Sequence, residues 1–173
     1  MRCALLLLAF VAATAAAQPR YGLAPDAYAL LARTLATSCL GDDAQALRVA
    51  LAAQRATLAP AFRRALADGP PEDAVAAVRA AADRRYAALV LFPLRDYRVE
   101  GIAAADLARF ARPSRRSYVD AQVQRYVTGY RANAVAALGV VGGSQDRGLL
   151  VRYAREDPAL APAVAEAVRM LGR

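Results

Sequence analysis

Hydrophobic residues recur at helical spacing along most of the chain. Tyr28, Leu31 and Leu35 stand at i, i+3 and i+7, which places them on one face of a helix that begins near Pro25. Seven further segments carry stripes of this kind, and no segment shows the sustained alternation of a strand, so the sequence predicts an all-α fold. The further stripes are Leu47, Ala50, Leu51; Leu58, Phe62, Leu66; Val75, Val78, Ala82, Leu89, Phe92; Val119, Val123, Tyr126, Val127; Ala134, Leu138, Val141; Leu149, Leu150, Tyr153; and Leu160, Val164, Val168, Leu171.

Polar and breaking residues predict where these helices start and stop. Gly69-Pro70 ends the third helix, and the fourth is predicted over 71–91 because Pro93 disfavours continuation. Residues 94–101 are expected to form a connector and 102–110 a short helix. Gly129 is expected to separate the sixth helix from a seventh over 130–143. The predicted N-caps are Thr57, Ser117, Ser144 and Asp157, the last followed by Pro158.

Part of the chain repeats. The segment 134–142 (AVAALGVVG) aligns without gaps on 164–172 (VAEAVRMLG), 30 positions further on. That spacing is the length of one helix pair, which indicates a helical repeat. Repeats of this kind usually form binding surfaces rather than catalytic sites.

From about residue 117 to 173 the chain resembles the short bacterial HEAT-like repeats. The first copy carries Arg131, Ala134, Ala137, Leu138, Gly139 and Gly142; the second keeps Ala167, Val168, Leu171 and Gly172, with Arg169 in place of the inner glycine. The resemblance implies antiparallel helix pairs stacked as a short α-α superhelix that acts as a protein-binding scaffold. An irregular α-helical bundle is the alternative fold.

The N-terminal residues 1–17 are expected to be a secretory signal peptide. Arg2 is followed by the apolar run 4–12 and then by the small residues 15–17, which are typical of a cleavage site before Gln18. The rest, 18–173, is predicted to be one domain. Together with a composition rich in Ala and Arg, the signal indicates a bacterial protein that is periplasmic or secreted.

The composition excludes several kinds of site. The chain has no His and no Lys, so it cannot form a Ser-His-Asp triad, a His-ligated zinc centre, a Schiff base or a Walker loop. Cys39 is the only cysteine after the signal, and it is expected to be buried or to pair between chains. We therefore expect no metal and no cofactor.

Carboxylates are the remaining catalytic candidates. Glu72/Asp73 and Glu156/Asp157 lie at predicted helix ends, where they have structural roles; the pair 96/100 in the connector is the alternative for a hydrolase or lyase. The leading expectation is that the protein is not an enzyme.

A basic, aromatic segment is the best candidate for binding. The formal net charge of +8 favours acidic partners, and Arg and Tyr together suit carboxylate recognition and flat contact. The leading hypothesis is a protein-protein interaction scaffold in the bacterial envelope; the alternative is binding to an acidic envelope polymer, and nucleic acid is not expected. The candidate residues are Arg112, Arg115, Arg116, Tyr118, Arg125 and Arg131.

Overall fold

The computed structural model of the chain describes residues 21–36, 44–91 and 113–172. Several predicted features lie outside these residues, so they stay predictions. They are the signal peptide 1–17, Cys39, the break at Pro93, the connector 94–101 with Asp96 and Glu100, the helix 102–110, and Arg112.

Among the described residues the fold is all-α, as the hydrophobic spacing predicts, and no strand is present. A short 3-10 helix, Pro158–Leu160, precedes the last α-helix. The helices are α1 (Pro25–Ala36), α2 (Ala44–Ala53), α3 (Arg55–Asp68), α4 (Glu72–Leu91), α5 (Arg115–Val141), α6 (Asp146–Glu156) and α7 (Ala161–Leu171).

The described residues form two compact units. The first unit contains the residues through Pro70 together with those from Val127 onward, and the second contains those from Pro71 to Tyr126. Helix α5 therefore contributes to both. The single domain expected over 18–173 stays a prediction.

The core of the first unit is built from the predicted stripes. Helices α1, α2 and α3 pack against one another, and α6 packs against α7. Apolar side chains meet in the interior because each stripe faces the others, and this burial is the main favourable term in folding. The fully buried members include Leu31 of α1, Leu58, Phe62 and Leu66 of α3, Leu138 of α5 and Leu150 of α6.

The segments 134–142 and 164–172 are in direct contact in this core. A Cβ on Gly139 would lie 2.8 Å from the Cα and 3.1 Å from the Cβ of Ala167. Only glycine leaves room for the two helix backbones to approach this closely. The close packing predicted for Gly139 is thus confirmed, and it joins α5 to α7.

Gly129 does not end a helix, which corrects the prediction. Helix α5 runs without a break from Arg115 to Val141, and Gly129 is an exposed position inside it. One glycine in a helix interior costs about 1 kcal/mol. This cost is too small to divide a helix whose residues on either side, Val119 and Tyr130, are buried.

Most predicted N-caps are displaced. Ser117 lies inside α5, where its amide N–H donates to the Ser114 hydroxyl over 3.1 Å, so Ser114 performs the capping role. Thr57 lies inside α3, which starts two residues earlier. Ser144 does not cap α6; Gln145 holds the N-cap position and makes no side-chain capping hydrogen bond.

The cap predicted at Asp157 is confirmed. Its side chain accepts a hydrogen bond of 3.1 Å from the Ala159 N–H at the start of the 3-10 helix. Pro158 follows, in the first-turn position where a missing N–H has no consequence.

Candidate functional site

In the second unit, α4 and the first half of α5 run antiparallel and place charged residues opposite one another. On α4 the order along the chain is Arg79 then Asp83, four residues apart and hence on one face. On α5 the order is Arg115 then Asp120. Because the helices are antiparallel, each arginine of one helix meets an aspartate of the other.

Two ion pairs result. Arg79 Nη1 donates to Asp120 Oδ1 over 3.0 Å, and the Arg115 guanidinium donates two hydrogen bonds to the Asp83 carboxylate. Arg116 approaches Asp120 more loosely, with Nε 3.7 Å from Oδ2. Its side chain is 93% exposed, whereas those of Arg79 and Asp120 are 54% and 50% exposed. The charges are thus paired within the unit yet remain open to solvent.

The pairing keeps these groups ionised. The hydrogen bonds from Arg115 lower the pKa of Asp83 from its ordinary value, and Arg84 adds to this effect. The same bonds raise the pKa of Arg115. An aspartate with a lowered pKa is a weak general base at neutral pH, so its chemistry favours electrostatic recognition over proton transfer.

Between the ion pairs lies an open groove, which we call the α4–α5 groove. Its volume is about 630 Å³. Small apolar side chains form its floor, and Ala76 and Ala80 are exposed while Val119 is buried. Its lining is Ala76, Arg79, Ala80, Asp83, Arg115, Arg116, Val119 and Asp120.

Two tyrosines bridge the same helices beside the groove. The rings of Tyr86 and Tyr118 have centroids 5.5 Å apart at an interplanar angle of 45°. The Tyr86 hydroxyl donates to the carbonyl of Pro113 over 2.9 Å. This contact fixes the start of α5 against α4, and therefore the position of Arg115.

The structure brings together only part of the predicted binding segment. Arg115 and Arg116 line the groove and Tyr118 lies beside it, while Arg125 is exposed further along α5. Arg131 belongs to the first unit, where its guanidinium lies 3.6–3.7 Å from the position a Cβ on Gly69 would take. Its Nε is buried and has no hydrogen-bond partner among the described residues.

Sequence reasoning missed the α4 half of the groove. Arg79 and Asp83 carry an i,i+4 signal on α4, and Arg116 and Asp120 carry the same signal on α5. In both pairs the arginine precedes the aspartate, so in antiparallel neighbours each arginine would face the aspartate of the other helix. In the structure Arg115, the residue before Arg116, makes the contact with Asp83. The sequence alone does not say that α4 and α5 are neighbours.

A second charged cluster lies in the first unit and is largely buried. Arg63 donates to the Asp146 carboxylate at 2.6 and 2.9 Å, and Asp146 also accepts from the Gly143 N–H. The side chain of Asp146 is 3% exposed and that of Arg63 is 34% exposed. The cluster joins α3 to the start of α6, and both oxygens of the Asp146 carboxylate accept hydrogen bonds, which is typical of a structural site.

The other candidate chemistry is placed as follows. Glu72 and Asp73 lie exposed in the first turn of α4, and Glu156 ends α6. Among residues 21–36, 44–91 and 113–172, no cluster of three metal-ligating side chains occurs. None of the described helices combines the length and the apolar character needed to cross a membrane.

Comparison with known proteins gives no relative. No protein-family model matches the chain, and no curated protein or solved structure is significantly similar to it.

Proposed function

We propose that this protein is an exported, non-catalytic helical module that binds another protein in the bacterial envelope, and that the α4–α5 groove is its docking surface. The observation that carries the proposal is the groove itself. It combines an accessible floor of small apolar residues with a rim of exposed, ionised side chains. Protein interfaces likewise combine an apolar centre with a polar rim, and charge at the rim supplies register.

The scaffold that we propose is HEAT-like. In its support, Gly139 of the first repeat copy packs against Ala167 of the second, and α6 packs against α7 as a helix pair. One helix pair cannot bury its stripe alone, so contact between copies is the feature that such repeats need.

Binding to an acidic envelope polymer is the second candidate. Arg116 favours it, because a 93% exposed guanidinium can pair with an external carboxylate or phosphate at little cost.

A pull-down with matched variants tests the groove. The full-length chain with a C-terminal affinity tag is expressed in a bacterial host and incubated with periplasmic extract. We expect a specific protein to be recovered, and we expect Ala80→Arg to abolish its recovery by filling the groove floor. Ala77→Arg is the control, because Ala77 is also exposed on α4 but does not line the groove.

The same experiment separates the two candidates. The docking groove is supported if a protein is still recovered at moderate salt, and if its recovery is lost with Ala80→Arg but not with Ala77→Arg. Binding to an acidic polysaccharide that disappears with salt and with Arg116→Gln, but not with Ala80→Arg, supports the polymer instead. Equal recovery with both alanine variants would refute the groove as the docking surface.

A further inference from the structure

We infer that the α4–α5 groove is the interface of a homodimer, in which a second copy of this chain docks the same groove face to face. The inference rests on one part of the proposed function, that the groove is a protein-docking surface; it takes a second copy of this chain, and not a different protein, as the partner in that groove.

The arrangement of charges on the groove is complementary to itself. Arg79 and Asp83 form one edge; Asp120 lies opposite Arg79, and Arg115 lies opposite Asp83. The four charges therefore alternate in sign around the groove: Arg79 and Arg115 lie at one pair of diagonal corners, and Asp83 and Asp120 lie at the other. A second copy, turned about a two-fold axis parallel to the helices, would place its α5 edge over the α4 edge of the first. Every arginine then faces an aspartate, which is the requirement for an isologous interface.

These contacts can form without breaking the pairs already present. A carboxylate offers about four acceptor positions and a guanidinium has five donors. Asp83 and Asp120 remain 40% and 50% exposed after pairing, so positions are left for an arginine from a second copy. Docking would convert two ion pairs on each copy into one network.

The floor of the groove allows the helices to approach. Ala76 and Ala80 project only a methyl group, and Val119 is already buried between α4 and α5. Helix axes can come within about 8 Å when the side chains at the contact are this small. Two copies of the helix pair would then form a four-helix arrangement across the groove.

One residue opposes the association. Arg116 stands outside the four alternating charges and gives each groove three arginines against two aspartates. Two such faces repel each other slightly, so the dimer is expected to be weak and to depend on protein concentration.

Sedimentation velocity of the full-length protein tests the inference. We expect the wild type and Ala77→Arg to shift from monomer to dimer between about 5 and about 500 µM, a range that corresponds to micromolar affinity. Ala80→Arg should remain a monomer throughout. Circular dichroism shows whether each variant is folded, and Ala80 is an exposed helical position that tolerates a long side chain.

A pair of charge-reversal variants provides a second test that does not depend on Ala77→Arg or Ala80→Arg. Arg79→Asp with Arg115→Asp makes all four positions acidic, and Asp83→Arg with Asp120→Arg makes them basic. Each double variant also replaces both α4–α5 ion pairs by like charges, so only variants that circular dichroism shows to be folded are compared. Each alone should be monomeric because of repulsion, whereas an equimolar mixture should form a heterodimer.

Three results would overturn the homodimer: a wild type that stays monomeric at the highest concentration, equal loss of association with Ala77→Arg and Ala80→Arg, or a charge-reversal mixture that stays monomeric. If the wild type is monomeric but still captures another protein in a manner that depends on Ala80, the homodimer is wrong and the docking function stands.

Discussion

Arg63 in the middle of α3 holds the buried carboxylate of Asp146 with two parallel hydrogen bonds, Nε to Oδ1 at 2.6 Å and Nη2 to Oδ2 at 2.9 Å. The two residues are 83 positions apart in the chain. The same carboxylate accepts from the Gly143 N–H, in the turn between α5 and α6. One side chain therefore ties the start of α6 both to α3 and to the turn that follows α5.

Replacement of Asp146 should destabilise the first unit. Asp146→Asn keeps the shape of the side chain but leaves the Arg63 guanidinium without its counter-charge. Removal of one partner of a buried pair costs about 3–5 kcal/mol. Because Arg63 is 34% exposed and water can solvate part of its charge, we expect about 2 kcal/mol, measured by urea unfolding. Asp83→Asn is the control, since its pair with Arg115 is exposed, and its midpoint should change little. Equal losses in the two variants would contradict the assignment.

The contribution of Asp146 to stability should depend on pH. The hydrogen bonds from Arg63 lower the pKa of Asp146; burial acts against this shift, and the Gly143 N–H adds to it. A lowered folded-state pKa means that the stabilisation is complete above the unfolded value of about 3.9 and is lost as the pH falls through the folded value.

The difference in free energy of unfolding between the wild type and Asp146→Asn should therefore be constant near neutrality and shrink below about pH 4. Other carboxylates, including Asp83, are present in both proteins, so their titration cancels in this difference. Urea midpoints at a series of pH values measure it. A difference that stays constant to pH 2, or grows as the pH falls, would show that Asp146 is not held as an ion.

Two glycines of α5 should respond to alanine in opposite directions. At Gly139 the added Cβ would lie 2.8 Å from the Cα of Ala167, so the backbones of α5 and α7 must separate. We expect Gly139→Ala to cost about 1–3 kcal/mol, as for other overpacked cores. At Gly129 nothing lies within 4 Å of the added Cβ, and alanine is the better helix former. Gly129→Ala should gain about 1 kcal/mol. Thermal unfolding of Gly139→Ala and Gly129→Ala measures the two effects. Melting temperatures that shift in the same direction would contradict the prediction.

The local pattern was sufficient to predict the core of the first unit. Leu31, Phe62 and Leu138 each lie on a stripe of period 3.6, and all three are fully buried. The Asp157 cap could also be predicted, because it depends on residues within two positions of each other. These predictions succeed because the spacing along a helix decides which side chains share a face.

Features that depend on which helices are neighbours could not be predicted in this way. The Arg63–Asp146 pair joins distant segments, and neither residue differs locally from the other charged residues of its helix. The groove is an intermediate case. The i,i+4 pairs Arg79/Asp83 and Arg116/Asp120 are visible in the sequence, but only the packing of α4 on α5 shows that the cross-helix ion pairs are Arg79–Asp120 and Arg115–Asp83. The predicted binding segment therefore contained one wall of the groove and omitted the other.

The end of α5 provides a further test of long-range capping. Arg55, at the start of α3, donates from Nε to the Val141 carbonyl at 3.1 Å and from Nη2 to the Val140 carbonyl at 3.3 Å. These carbonyls lie in the last turn of α5, where no intrahelical donor is available and a positive charge is favourable. Lysine keeps the charge but lacks the planar fork that reaches two carbonyls together.

Arg55→Lys should therefore cost about 0.5–1 kcal/mol in free energy of unfolding, the value of one exposed hydrogen bond. Arg64→Lys is the matched control, because Arg64 is an exposed arginine of the same helix and should be neutral. Urea unfolding of the two variants measures the difference. If they are equally stable, the charge alone accounts for the role of Arg55 and the two-carbonyl contact contributes nothing. Both substitutions leave the net charge unchanged. A larger loss of stability in Arg55→Lys would therefore show that the two hydrogen bonds from the planar guanidinium contribute to stability.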